Sequence, residues 1–472
     1  MGDALQPDLL PALPALLSCR VPFLFSRNSA TSNLAHRATK RNDRMLAADS
    51  VTSADRRRAI SAASANAGVW AFGNGVISTS VVTYLALELG ASSALIAWII
   101  AAPQLAGVLR WFGPRILASF RGHRLPCLLF YFASVVLLLL LPTTAYPGVL
   151  PSKSLSLVAL VLCWCLYHLC EYLGTICLWS WFARLIPGRF YGRFSGRREL
   201  WLNIGRLVGF VTVSALDIWY RQQYVAAPRL PLLLILAAGG ALLLGAALIP
   251  LLGMSDVPAR FGDRKPLPAG EALLHSRPLR RLLIYGVCFS AANGVSSALG
   301  WSYVHKALGL SLALVLGSQA LMRLGQPILA PWCGRIVDRV GCRGLMIACQ
   351  LTVALAPLLY LGGAWGYVAS YVALIAYVGT NVALAAMMLR IAGPKQASAN
   401  ISVYFGLTGV VYAVSVLIDG ALADRLIPAA IRGDAAAYFP YFLTAWILRS
   451  AAAIPLLFLL EPPIEAETRS NR

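Results

Sequence analysis

The chain has 472 residues, of which 58% are apolar and only 12% charged, with a net charge of +21. A soluble domain needs about twice that share of charge to cover its surface. The basic excess would suit a nucleic-acid surface only if it gathered on one folded domain, and it does not.

The apolar residues come in runs of about 20, the length that crosses roughly 30 Å of hydrocarbon. Backbone groups in lipid must be satisfied internally, so each run predicts a helix. In chain order the predicted spans are 67–88, 91–110, 125–143, 154–180, 200–218, 230–252, 281–303, 308–332, 344–362, 365–389, 399–422 and 438–460. An even number of spans places both termini on one side. Of the 40 Lys and Arg residues, 32 fall in the tails and alternate loops and 6 in the opposite loops. By the positive-inside rule both termini are expected in the cytoplasm and the chain in the cytoplasmic membrane.

Residues 1–65 are polar and rich in Ser, Ala and Arg, and read as a disordered cytoplasmic tail. Residues 9–25 are apolar but too short and too Pro-broken to span, and Asp3 and Asp8 stand where a signal peptide would be basic. The expected organisation continues with a six-helix half over 66–252, a Pro-, Gly- and charge-rich linker over 253–280, a second six-helix half over 281–460 and a tail over 461–472.

The halves repeat. Asn293 lies 219 residues after Asn74, and the same shift lays "NGVIS" over "NGVSS", Tyr84 over Tyr303, Leu89-Gly90 over Leu308-Gly309, and Ser92 over Ser311. It also lays Gly122 over Gly341 and Arg124 over Arg343. Each half has an even helix count, so the repeat is parallel, which is one of the transporter plans.

The loop after span 8 carries Gly334, Asp338, Arg339, Gly341 and Arg343. This resembles the G-x-x-x-D-R-x-G-x-R signature of the major facilitator superfamily. The first-half copy keeps Gly122 and Arg124 but has Ser119 in place of the Asp. The segment "ARLIPGRFYGRFSGRR" is similar to the Arg- and Gly-rich loop after the fourth helix in that superfamily. The resemblance covers residues 66–460. It implies an all-α integral membrane fold of about twelve helices, and a gating role for the two loops. Independently of the family, the glycines permit tight turns, and Asp338 can accept from a helix N-terminus or an Arg. Arg390, at the inner end of span 10, reads as a gate or headgroup contact.

Ionisable groups at membrane depth are functional candidates. His168, Glu171, Arg323 and Arg449 stand out. At 100° per residue Trp164, Tyr167, His168, Glu171 and Thr175 share one face of span 4. Cys163, Cys170 and Cys177 fall on a neighbouring stripe. The Cys and His side chains therefore diverge, which argues against a metal site and for small-residue packing. Two readings of the polar face stand side by side. Glu171 binds a cation or carries a proton shared with His168, or the pair is structural. Span 1 presents Asn66, Trp70, Asn74 and Ser78. Span 7 presents Ser290, Asn293, Ser297 and Trp301. Matching stripes suit a cavity at the repeat interface, with amides for hydroxyl- or amide-bearing solutes and Trp rings for a flat or sugar-like one. Arg323 takes the place of Gln104 under the repeat, and Glu171 is its obvious internal partner. Arg449 reads as structural, because last helices pack outside in this superfamily.

The resulting expectation is a secondary transporter for a small-molecule solute, coupled to protons through Glu171. It embeds in a lipid bilayer as a monomer, with no cofactor, metal or nucleic acid. No G-x-x-x-x-G-K-[ST] motif supplies an ATPase. The alternatives are a lipid-directed membrane enzyme and an uncoupled flippase or receptor.

Overall fold

The computed structural model describes residues 52–112, 120, 122–185, 188–224, 228–256, 277–427 and 433–459. Most of the tail over 1–65, most of the linker over 253–280, the C-terminal tail and Ser119 lie outside the described residues. The described residues form twelve apolar helices: α1 (Ser53–Glu88), α2 (Ser93–Leu109), α3 (Arg124–Ala145), α4 (Lys153–Trp179), α5 (Arg197–Gln223), α6 (Leu230–Leu252), α7 (Arg277–Ala307), α8 (Leu312–Val337), α9 (Cys342–Tyr360), α10 (Gly363–Met388), α11 (Val403–Ala423) and α12 (Ala435–Leu457). Eleven are long enough to cross a membrane; α2 is shorter. Large apolar side chains such as Phe132, Val158, Ile235, Leu242 and Trp365 are exposed, as a lipid-facing surface demands.

The helix starts follow local chemistry. Residues 53–65 were expected in the disordered tail, yet they are helical. Thr52 and Asp55 form a reciprocal cap: the Thr52 hydroxyl accepts from the Asp55 N–H, and the Thr52 N–H donates to the Asp55 carboxylate. That cap stops the helix well before the apolar run begins, so hydropathy alone placed the boundary too late.

The repeat has a structural meaning. Gly90 and Gly309 both take positive φ (88° and 58°), ending α1 and α7. Ser92 and Ser311 then both cap the next helix through the N–H of Leu95 and Leu314. The matched residues are thus those that build one tight hairpin twice. Both first helices are also broken at matching places. α1 is interrupted after Val76 and resumes at Thr79, and α7 is interrupted after Gly294 and resumes at Ser297.

Small residues set the helix crossings. In the first half Gly75 and Gly209 bring the α1 and α5 backbones together, and a Cβ at Gly209 would lie 2.8 Å from the Gly75 Cα. In the second half Gly294 packs against Ser415 of α11, whose hydroxyl donates to the Ala291 carbonyl at 2.6 Å. The halves meet through α2 with α11, where Gly420 sits on Ala97, and through α5 with α8.

Hydrogen bonds join the halves at the end where α1 turns into α2 and α7 into α8. Tyr84 donates to the Leu310 carbonyl (2.9 Å), Gln319 to Ser80 (2.7 Å) and Ser214 to the Ala313 carbonyl (3.2 Å). Ser93 and Ser302 share a hydrogen bond of 3.3 Å. The Ala313 N–H at the start of α8 donates to Asp217 of α5 (3.1 Å), a buried carboxylate also bonded to Arg221.

Candidate functional site

In the first half, α4 supplies the polar side chains. Thr175 donates to Glu171 at 3.1 Å, so Tyr131 of α3 must donate to Thr175 at 2.9 Å. Glu171 thus ends a three-residue chain. It borders a cavity of about 10 Å³ with Asn66, Trp70, Tyr131, Ser134 and Tyr167, room for a single water. This cavity lies among α1, α3, α4 and α6, within one half. Tyr167 meets the Asn74 side chain. His168 is buried, packs edge-on against Trp164 (4.5 Å between centroids), and its Nε2 has no partner among the described residues. Trp164 is buried, with its indole donating to the Ile99 carbonyl of α2 (2.9 Å), so it fastens two helices. Ser78 sits at the break of α1, buried, and its hydroxyl lacks a partner among the described residues.

In the second half the break of α7 organises the site. Ser296 adopts φ 79°, the one non-Gly positive φ among the described residues, in a region that costs an L-residue about 1–2 kcal/mol. Asp419 of α11 holds it there. One carboxylate oxygen accepts from the Ser296 N–H (3.2 Å), the other from the N–H groups of Ala298 (2.8 Å) and Leu299 (3.3 Å). Tyr441 of α12 accepts from the same Ser296 N–H (3.0 Å). Arg449 reaches inward from α12 to the Ser296 hydroxyl (3.2 Å) and the Asn293 carbonyl (3.5 Å). Its expected place was outside the bundle. Beside the break, Tyr377 donates to Asn293 (3.4 Å) and Ser297 shares a bond with Tyr412 (3.3 Å).

The remaining candidates are dispersed. Trp301 packs edge-on against Tyr84 (6.2 Å) at the joined end of the halves. Gln104 is exposed. Arg323 donates to Gln326 (3.3 Å), and no ion pair links it to Glu171 among the described residues. The expected pairing is therefore not formed.

The loop after α8 is less of a turn than its glycines suggest. The helix continues through Gly334 to Val340, and a Cβ at Gly334 would meet nothing. Only Gly341, at φ 104°, makes the turn. Arg339 is exposed, and Arg343 lies in the first turn of the following helix. The side chains of Asp338 and Arg390 are outside the described residues. In the degenerate first-half loop a carboxylate comes from elsewhere. Asp256, just after α6, accepts from the Arg124 N–H (3.4 Å) and crowds Gly122, while the Arg124 side chain donates to the Leu252 carbonyl (2.7 Å).

Sequence reasoning missed Asp419, Asp217 and Arg206. Asp419 and Asp217 lay inside predicted spans, so the rule applied to Glu171 would have found them. Arg206 was counted with the loop before α5, yet it sits in the helix with its guanidinium over the Trp70 ring (5.6 Å).

A bundle of two repeat-related six-helix halves, with broken first helices and, in the second half, polar groups gathered at the break, defines a membrane transporter fold. A family model described as Major Facilitator Superfamily matches residues 63–416. The chain belongs to that superfamily, among transporters and not enzymes. Similar solved structures include a variant of the nucleoside transporter NupG (TM-score 0.65, 12% identity, covering 84% of this chain and 99% of that one). A D-xylose–proton symporter is also similar (TM-score 0.62, 13% identity, 86% and 99%). So is a bacterial homologue of the human lysosomal transporter Spinster, in an inward-facing, unoccupied conformation (TM-score 0.56, 13% identity, 86% and 95%). At these identities they show the fold. No curated protein matches the chain.

Proposed function

We propose that this protein is a secondary active transporter that carries a small polar solute across the cytoplasmic membrane by alternating access, driven by protons. The observation that carries the reading is the pair of matching breaks in α1 and α7. Irregular backbone at membrane depth is tolerated where it lines a wet path or is held by protein, and here it recurs at the repeat interface. Asn293, Ser297, Tyr377 and Tyr412 offer donors and acceptors for hydroxyl groups. The nucleoside and xylose carriers of similar fold are consistent with such a solute.

Both termini and the basic loops face the cytoplasm in this reading. The halves are bonded at the opposite, sparsely charged end, so the described state faces inward. Glu171 is the proton carrier. It is an acidic side chain at membrane depth, hydrogen-bonded among the described residues through neutral Thr175 and Tyr131, and bordering room for one water.

The test uses purified protein in proteoliposomes with an inward proton gradient and a trapped pH dye. Sugars, nucleosides, amino acids and organic acids are added in turn. A solute-dependent proton flux is expected. Glu171→Gln abolishes that flux but spares counterflow. Equal loss of flux and counterflow in Glu171→Gln makes the residue structural. Absence of flux with every solute removes the coupled-transport reading.

A further inference from the structure

Arg206 of α5 and Arg323 of α8 are intramembrane cations that no carboxylate meets within 4.0 Å among the described residues. Among the described residues the ion pairs within 4.0 Å are Arg221 with Asp217 and Arg229 with Glu88. Neither involves Arg206 or Arg323. The Arg323 guanidinium donates to Gln326, and its Nε is buried without a partner among the described residues. Arg206 is held over Trp70.

Their placement is matched in depth. α5 and α8 are joined where Ala313 meets Asp217. At about 1.5 Å per residue, Arg206 lies on the order of 16 Å along α5 from that joint, and Arg323 about 15 Å along α8. Both therefore reach the middle of a roughly 30 Å bilayer, one from each half. The strongest charge acting on Arg323 is the like charge of Arg206. Glu199 acts on both and Glu171 on Arg206 alone, but Glu199 is exposed and already accepts from Asn203.

An arginine cannot shed its charge to escape burial, and its planar fork binds carboxylate or phosphate through two bonds. We infer that Arg206 and Arg323 form an anion-binding site across the two halves, and that the transported solute bears a carboxylate or phosphate group. The inference rests on the transporter reading and narrows its substrate. The uncharged remainder of the solute faces Asn293, Ser297 and Tyr412. The same arrangement couples binding to movement: without an anion the two cations oppose closure of the halves around the site, and a bridging anion removes that opposition.

The test pairs charged and neutral probes that share a body: glucuronate with glucose, ribose 5-phosphate with ribose, and uridine 5′-monophosphate with uridine. Thermal unfolding of the detergent-purified full chain is read with each. Charged members of at least one pair raise Tm by several degrees and their neutral partners do not. Arg206→Gln and Arg323→Gln both lose that shift, while Arg229→Gln keeps it. A carboxylate and a phosphate source are told apart by which pair responds. Arg323→Gln without ligand melts above the unsubstituted protein, because the like charge opposing Arg206 has been removed. Equal shifts by neutral and charged members, or shifts that survive both Gln substitutions, overturn the proposal. So does a ligand-free Arg323→Gln that melts lower with no probe shifting Tm. Uptake of the neutral members in proteoliposomes, unaffected by either substitution, leaves the transporter reading standing and removes the anion site alone.

Discussion

The two halves solve the same problem in different ways. Both interrupt their first helix at the repeat-matched place, yet among the described residues only the second half pins the interruption with side-chain hydrogen bonds. At α7 the left-handed Ser296 is held by Asp419, Tyr441 and Arg449, from two other helices. At α1 the residue matched to Ser296 is Ile77, at φ −102°, and the next residue, Ser78, is buried in the extended region with no hydroxyl partner among the described residues. The first half instead fixes α1 by backbone contact with α5 through Gly75 and Gly209. Polar pinning in one half and close steric packing in the other imply different sensitivities. The second half depends on a carboxylate, and the first on the absence of side chains.

Five substitutions sharpen that contrast, from the largest effect to the smallest. Asp419→Ala leaves the N–H groups of Ala298 and Leu299 without their acceptor, at about 1–3 kcal/mol for each orphaned group. A drop in Tm of well over 5 °C, or loss of folded protein, is expected. Gly209→Val forces α5 from α1 and costs about 2–3 kcal/mol or more, read in the same melting assay. An unchanged Tm in Gly209→Val would deny that backbone contact fixes α1. Within the loop after α8, Gly341→Ala costs about 1–2 kcal/mol because φ is 104°, whereas Gly334→Ala in the helix gains about 0.5–1 kcal/mol. Equal effects would mean that both glycines turn the chain. Ser78→Ala stays within about 0.5 kcal/mol, since the hydroxyl has no bond to lose among the described residues. A loss as large as that of Asp419→Ala would show a hidden pin in α1.

Much of the fold was legible because its repeat is written in turn chemistry. Gly90 with Ser92 and Gly309 with Ser311 are local signals, and they mark the same hairpin in sequence and in structure. The ~20-residue apolar runs located all twelve helices, the shorter α2 included. The start of α1 was not legible from hydropathy, because Thr52 and Asp55 cap a stretch that is helical without being apolar. The site was harder to read. Asp419 and Ser296 are 123 residues apart, and no periodicity connects a carboxylate on α11 with a break in α7. The expected partnership of Glu171 with Arg323 followed from charge alone. The structure instead gives Glu171 a chain of hydroxyl groups and leaves Arg323 with Gln326. Trp164 lay on the polar face of α4 by helical geometry, but its indole answers a carbonyl of α2. Helical periodicity says which way a side chain leaves its helix. It does not say which neighbour stands there.

The account's central claim is alternating access: the halves must part where they are now joined. Ser93 and Ser302 touch across that joint, 3.3 Å apart and both nearly inaccessible. Uptake by proteoliposomes containing the Ser93→Cys, Ser302→Cys double variant, oxidised to a cross-link and then reduced, tests this directly, with the unsubstituted protein under the same oxidant as control. Uptake should stop on cross-linking and return on reduction. A fully cross-linked protein that transports at the reduced rate would contradict alternating access.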